Sequence, residues 1–300
     1  MHYSVVISGL LSIIPGLAFA SVPSQGYFDP SSNGGSMLTT VEDTSPLGQQ
    51  EPINMIISGN SDSAVSIDQN SSGGLQNYFN SLGFAGECLG EHLGNDQQAN
   101  LGDGNGLINQ TAVMRWDYGN VQTGTCEETV DGGNHFRYWV QNGSSADSNA
   151  IFMATSYELP ASTNHDIVTN GYNLGRDYVI GNITNSTIPT ESLSNSSTFS
   201  GNTSFNGFNY STSIQYVSGL LPNTSVGINH NLTVPVDGQN AIDGLVAVLT
   251  VKITATNTSS GSSSSSSSSG SNNSGVLGLS VSWKLPTVIG VLISACFVSL

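Results

Sequence analysis

Apolar and polar positions alternate with two distinct periods along the middle of this chain, and runs at both ends carry no alternation at all. Ile53 to Ser58 is a short apolar stretch of strand character. Leu75, Tyr78, Phe79 and Leu82 then follow the i, i+3, i+4, i+7 rule. They predict an amphipathic helix over residues 73–82, ended by Gly83 and Gly86. Thr111 to Tyr118 alternates, with Met114, Trp116 and Tyr118 on one face. His135 to Gln141 and Ile151 to Tyr157 read as paired strands, with Asn142-Gly143 opening the loop between them. Leu174 to Ile183 predicts a short helix. Phe208 to Leu221 and Leu245 to Thr254 predict two further strands. In the last of these Leu245, Ala247, Leu249, Val251 and Ile253 share a face that Lys252 avoids. The expected class is α+β: a mixed sheet with a few short helices over residues 51–183, followed by a β-rich region over 184–255.

The ends read as addresses. Residues 1–20 combine an apolar core with Ala18-Phe19-Ala20, the form of a secretory signal peptide. Residues 21–50 are rich in Ser, Gly and Pro without periodicity and read as a flexible leader. Residues 256–273 include eight consecutive serines, a composition that builds no core and reads as a stalk. In residues 274–300 a spacer precedes a short apolar tail. Small residues, spacer and tail come in the order of a glycosylphosphatidylinositol attachment signal, with Asn273 as the expected attachment point. The expected location is therefore extracellular, at the outer leaflet of the plasma membrane or in a cell wall. The expected partners are that membrane, through the glycolipid, and cell-wall glycans.

Composition sharpens this. Residues 21–273 hold four cations against all 21 carboxylates, a net charge of 4 − 21 = −17. Such a chain repels nucleic acid and anionic membrane. Two cysteines remain in that stretch, Cys88 and Cys126, which in an oxidising compartment are expected to form one disulfide. Twelve Asn-x-Ser/Thr sequons mark expected N-glycosylation. They are Asn70, Asn109, Asn142, Asn182, Asn185, Asn195, Asn202, Asn209, Asn223, Asn231, Asn257 and Asn272, with seven of them between residues 182 and 231.

Candidate chemistry is sparse. His135, Arg137, His165 and Arg176 fall within 42 residues of a chain otherwise nearly free of cations. His135 and Arg137 are i, i+2 on one predicted strand and share a face, with Phe136, Tyr138 and Val140 turned to the core. The functional expectation is an anion pocket, with Arg binding a phosphate or carboxylate and His serving as acid or base. The structural alternative is a set of ion pairs orienting the strands and helix. Asp103-Gly-Asn105-Gly106 has part of a calcium-loop spacing but lacks its distal Glu. Glu127-Glu128 reads as a solvated turn. There is no Gly-x-Ser-x-Gly elbow, His-Glu-x-x-His pair or phosphate-cradling loop, so no catalytic residue, metal or cofactor is assigned.

Several of these segments together resemble the LssY C-terminal domain: Asn134-His-Phe-Arg-Tyr-Trp139, Ile151-Phe-Met-Ala-Thr-Ser156, His165-Asp-Ile167 and Gly175-Arg-Asp-Tyr-Val179, opened by Pro52 to Ile57. The likeness spans residues 51–183, with a longer glycine-rich middle. Leu101-Gly-Asp-Gly-Asn-Gly106 is similar to secreted proteins of mushroom-forming fungi. The resemblance implies a fold rather than a reaction. The leading expectation is a cell-surface glycoprotein with a structural or binding role. An anion-binding or hydrolase-like ectodomain and a stalk-displayed adhesin are the alternatives.

Overall fold

Two long antiparallel strand pairs, joined through one short central strand, build the sheet. The computed structural model describes residues 21–92 and 94–256, so the expected signal peptide, all but Thr256 of the expected stalk, the expected anchor signal, Asn257, Asn272 and Asn273 lie outside the described residues. The strands are β1 (Met55–Ile57), β2 (Phe84–Gly86), β3 (Gln98–Asn100), β4 (Leu107–Asn109), β5 (Ala112–Trp116), β6 (Gly133–Gly143), β7 (Ala146–Glu158), β8 (Thr198–Phe205), β9 (Phe208–Thr224) and β10 (Ile242–Thr256). The helices are α1 (Leu75–Ser81), α2 (Gly124–Asp131) and α3 (Gly171–Thr184). Eight strands form one mixed sheet in the order β2-β5-β6-β7-β1-β10-β9-β8, curled into a half-barrel, while β3 and β4 pair separately. The class is α+β, as the pattern predicts.

β1 is the keystone. Its three residues pair antiparallel with β7 and parallel with β10, Met55 lying between Met153 and Ala247. A strand buried among neighbours on both sides reads as an unbroken apolar run, which Met55-Ile56-Ile57 is. This pairing brings residues 184–255 into the same sheet as residues 51–183. Ile183, Ile188, Tyr210 and Leu249 share one core with Met55, Phe79 and Phe136.

That first core lies beneath α1 and α3. The opposite face holds a second core of Ile56, Trp139, Phe152, Tyr172 and Val246. Its cover comes from Tyr27 and Met37 of the N-terminal segment, Ala99 and Leu101 of the β3–β4 ribbon, and Ile228 and Val234 of the β9–β10 connection. Residues 21–50, expected as a flexible leader, therefore pack against the sheet. Tyr27 is edge-on to Phe152, and Gln141 ties Phe28 down through Oε1 and Nε2. The segment lacks periodicity because isolated side chains, not a stripe, make its contacts.

The β6–β7 turn falls at Ser144-Ser145 rather than at Asn142-Gly143, which remain paired with Asp147 and Ala146 across a bulge after Gln141. The buried Asp103 carboxylate explains the shift. It accepts from the backbone N–H of Asn142 (3.2 Å) and Gly143 (2.9 Å) and from Asn105. Those oxygens are thereby engaged in holding a loop.

Arg176 locks α3 to the sheet. All five of its N–H groups are used. Nε and Nη2 bind Asp177 (2.7 and 3.1 Å), Nη1 and Nη2 bind Asp243 (2.8 Å each), and Nη1 also reaches the Leu245 carbonyl. Tyr216 donates to Asp177 and lies under the guanidinium, 5.1 Å from ring centre to Cζ. Burial opposes the charge, but Asp177 and Asp243 outweigh it and raise the Arg176 pKa. Removing one member of such a set strands buried charge. Arg176→Ala is expected to cost about 3–5 kcal/mol, read as a lower denaturation midpoint in urea with the m-value unchanged.

Candidate functional site

At one end of β5, β6 and β7 three neighbouring strands send alternate side chains to opposite faces. Arg115 pairs with His135, His135 with Ser156 and Asn134 with Tyr157, so every strand contributes to both sides. On the helix-covered face lie Trp116, Asn134 and Tyr157. On the other lie Arg115, His135, Ser156 and Glu158. Two sites stand back to back.

The second face carries an ionic cluster, completed by α2. Glu128 of that helix is fully buried, and its Oε2 accepts from Arg115 Nη1 at 2.9 Å. The expected solvated turn at Glu127-Glu128 is thus a helix whose second glutamate points inward, because a partner for it exists on β5. Arg115 also faces Glu87 (3.7 Å) and Glu158 (3.8 Å). Glu158 lies 3.6 Å from His135 Nε2 and 3.4 Å from His165 Nδ1. Burial, with Glu128 and Glu51 adding to it against Arg115 and Arg137, pushes the Glu158 carboxyl up to about 8. Burial, then Arg115 and Arg137, drives His135 well below its ordinary value. Partial burial and then Arg115 lower His165. At neutral pH the contacts of Glu158 with the two histidines are therefore between uncharged groups.

This geometry divides the expected anion set. His135 and His165 meet at Glu158. Arg137 bonds Gln110 (3.2 Å), and its field reaches His135 and Glu158. Arg176 sits apart with every donor occupied. The residue that takes the central position is Arg115, which the sequence reading passed over. Glutamates already claim its charge, so the cluster offers an incoming anion little. Glu128, His135 and Glu158 do bring one ligand-type atom each within 4.8 Å of one another. Of the Glu128 oxygens, Oε2 is held by Arg115 while Oε1 has no partner.

The helix-covered face carries an aromatic cleft of about 250 Å³ lined by Trp116, Tyr118, Asn134, Tyr157, Tyr178 and Asn182. Tyr178 and Asn182 are i, i+4 on α3 and so share its cleft side. Two edge-to-face pairs form the walls, Trp116–Tyr118 at 6.4 Å and Tyr157–Tyr178 at 5.2 Å between centroids. Tyr118 and Tyr178 stay 40% and 46% exposed, unusual for rings so close to a core. Tyr118 is fixed by donating its hydroxyl to the Gly132 carbonyl at 2.9 Å. Gly83, at φ +83°, makes room for Trp116: a Cβ there would fall 2.4 Å from the indole ring. Asn134 is buried at the back, its Nδ2 donating to the Gly175 carbonyl (2.9 Å) while its Oδ1 has no partner. The sequence signal was present in the aromatic residues at 116, 118, 157 and 178, but only the sheet register brings them together.

Cys88 and Cys126 form the expected disulfide, tying α2 to the segment after β2, with Cα atoms 4.6 Å apart. The bond fits an oxidising, secretory compartment. Among the described residues no helix is long and apolar enough to cross a membrane. Of the ten described sequon asparagines none is buried, whereas Asn54, Asn77, Asn134, Asn170 and Asn173, all outside sequons, are. No family model, curated protein or solved structure matches the chain. What defines it is the architecture itself, an α+β half-barrel with an ionic cluster and an aromatic cleft on opposite faces of one strand end.

The cluster makes stability depend on pH. An unfolded glutamate loses its proton near 4.5, and Glu158 holds its proton to about 8. Between those values the folded state binds more protons, so this contribution to stability falls as pH rises. The depressed histidines act oppositely, but only below their ordinary value of 6.5. The expected result is declining stability from about pH 6.5 to 8, at most about 1.4 kcal/mol per unit from one proton, and a flatter profile for Glu158→Gln. Urea midpoints across pH 6–9 measure it.

Proposed function

We propose that this chain is a non-enzymatic glycoprotein of the cell surface whose folded body binds carbohydrate through the aromatic cleft. The observation that carries the reading is the set of four rings around one cleft, two of them well exposed, with the Asn182 amide at its wall. Aromatic faces offer apolar platforms for the C–H face of a pyranose, and amides suit its hydroxyls. The volume, below the range of drug-sized pockets, fits a single sugar ring. No cation lines the cleft, and the acidity of the chain disfavours anionic ligands.

The terminal segments support display outside the cell: a signal peptide, a serine stalk and a glycolipid anchor at Asn273 would hold the body off an outer leaflet. Cell-wall or neighbouring-cell glycans are then the natural partners, which is the adhesin reading. The LssY-like reading of residues 51–183 is compatible with it, since those segments form the strands that carry both sites. The anion-binding or hydrolase-like reading is weaker here, because Arg176 is spent within the core and glutamates surround Arg115.

Calorimetric titration of the secreted ectodomain with soluble oligosaccharides of glucose, mannose and N-acetylglucosamine tests the proposal. At least one series is expected to bind, and Trp116→Ala or Tyr178→Ala to weaken it about tenfold or more, the loss of about 1.4 kcal/mol. Binding of a quaternary ammonium probe with no saccharide bound would replace the reading with a cation cage.

A further inference from the structure

Asn182 is both a wall of the aromatic cleft and the first residue of the sequon Asn182-Ile183-Thr184. Its side chain is exposed at the last turn of α3, one turn beyond Tyr178. Its Nδ2 donates to the Leu82 carbonyl at 3.1 Å. Glycosylation replaces one of the two amide hydrogens and leaves the other, so that bond is compatible with the modified residue. Asn185, three residues on, is also exposed in a sequon but does not line the aromatic cleft. Asn182 also lines the adjoining groove with Leu82, Gly83 and Asn185, so a sugar attached to it starts at the rim the two share, one helical turn from Tyr178 and beside rings that are 40% and 46% exposed. Any ligand arriving from solution must compete with a sugar held at high effective concentration by its own tether.

We infer that the N-glycan on Asn182 folds its first N-acetylglucosamine onto Trp116 and Tyr178 and so occupies the cleft in cis, setting the affinity for glycans bound in trans. This rests on the reading of the cleft as a carbohydrate site and adds its regulation. Attachment of the glycan gives the exposed rings of Tyr118 and Tyr178 an apolar cover. It also makes the state of the cleft depend on sequon occupancy, a property set during secretion.

The test uses the full chain secreted from a eukaryotic host. Glycopeptide mass spectrometry measures occupancy at Asn182, and titration with N-acetylglucosamine oligosaccharides measures affinity. Thr184→Ala removes the sequon without touching the cleft wall, and Thr184→Ser, which preserves it, is the control. The expected results are an occupied Asn182 in wild type and Thr184→Ser, and tenfold or greater gain in affinity for Thr184→Ala. That gain should vanish when Trp116→Ala is added. An unmodified Asn182 in the wild-type protein overturns the inference. So does equal affinity in wild type and Thr184→Ala, which leaves the carbohydrate reading standing. Absence of saccharide binding by every variant, glycosylated or not, overturns both.

Discussion

The sheet is covered on both faces, and that constraint governs everything placed at the ends of its strands. A strand with one wet face can hold polar residues there without further arrangement. Here both sets of alternate side chains at the ends of β5, β6 and β7 enter protein. One set is satisfied by assembling opposite charges around Arg115, the other by packing rings around an amide. Each solution fixes the other, because the backbone that positions His135 also positions Asn134. The pairing of Arg115 with Glu128 holds α2 against β5, and the residue following Arg115 is Trp116.

Charge placement follows the same logic. Among the described residues Arg115 and Arg176 are buried, Arg137 is half-buried, and Lys252 is the surface cation, itself paired with Asp62 at 3.0 Å. The arginines serve the interior, where a planar guanidinium satisfies several carboxylate oxygens at once. What remains outside is acidic and polar, with no basic patch among the described residues. Such a surface disfavours anionic ligands, which is why the proposed ligand is a neutral one.

Much of this architecture is legible from periodicity. β5, β6, β7, β9, β10, α1 and α3 all fall where alternation or the helical period places them. Residues with no periodicity are another matter. β1 is as short, but its apolar run within Ile53–Ser58 gives it away; β2, β3 and β4 span three residues each, too short for a pattern to develop. α2 is misread because its two adjacent glutamates look solvated, and only the position of Arg115 across the sheet gives Glu128 a reason to turn inward. β8 alternates exposed and half-buried residues at the sheet edge, but its Ser, Thr and Asn content disguises it. The expected anion set fails to converge for a related reason. Proximity along the chain placed Arg176 with His135, whereas α3 rotates that arginine onto Asp243 of β10, a residue 67 positions away.

The back-to-back arrangement also explains why the two sites need not share a function. The ionic cluster is largely internal: its arginine is paired with glutamates and its histidines are shifted toward the neutral form, so its charges are spent on one another across the strand ends. The cleft is open, and its rings leave apolar area in water that an isolated domain gains nothing by exposing. Exposed aromatic area beside an unpaired buried amide is a cost in the unliganded fold. A ligand would offset that cost, and Asn182, where the proposed glycan attaches, is carried by the neighbouring turn of α3 itself. On the proposed reading, a glycan on Asn182 would cap the cleft, and the strength of that cap, rather than the cleft alone, would set what binds there.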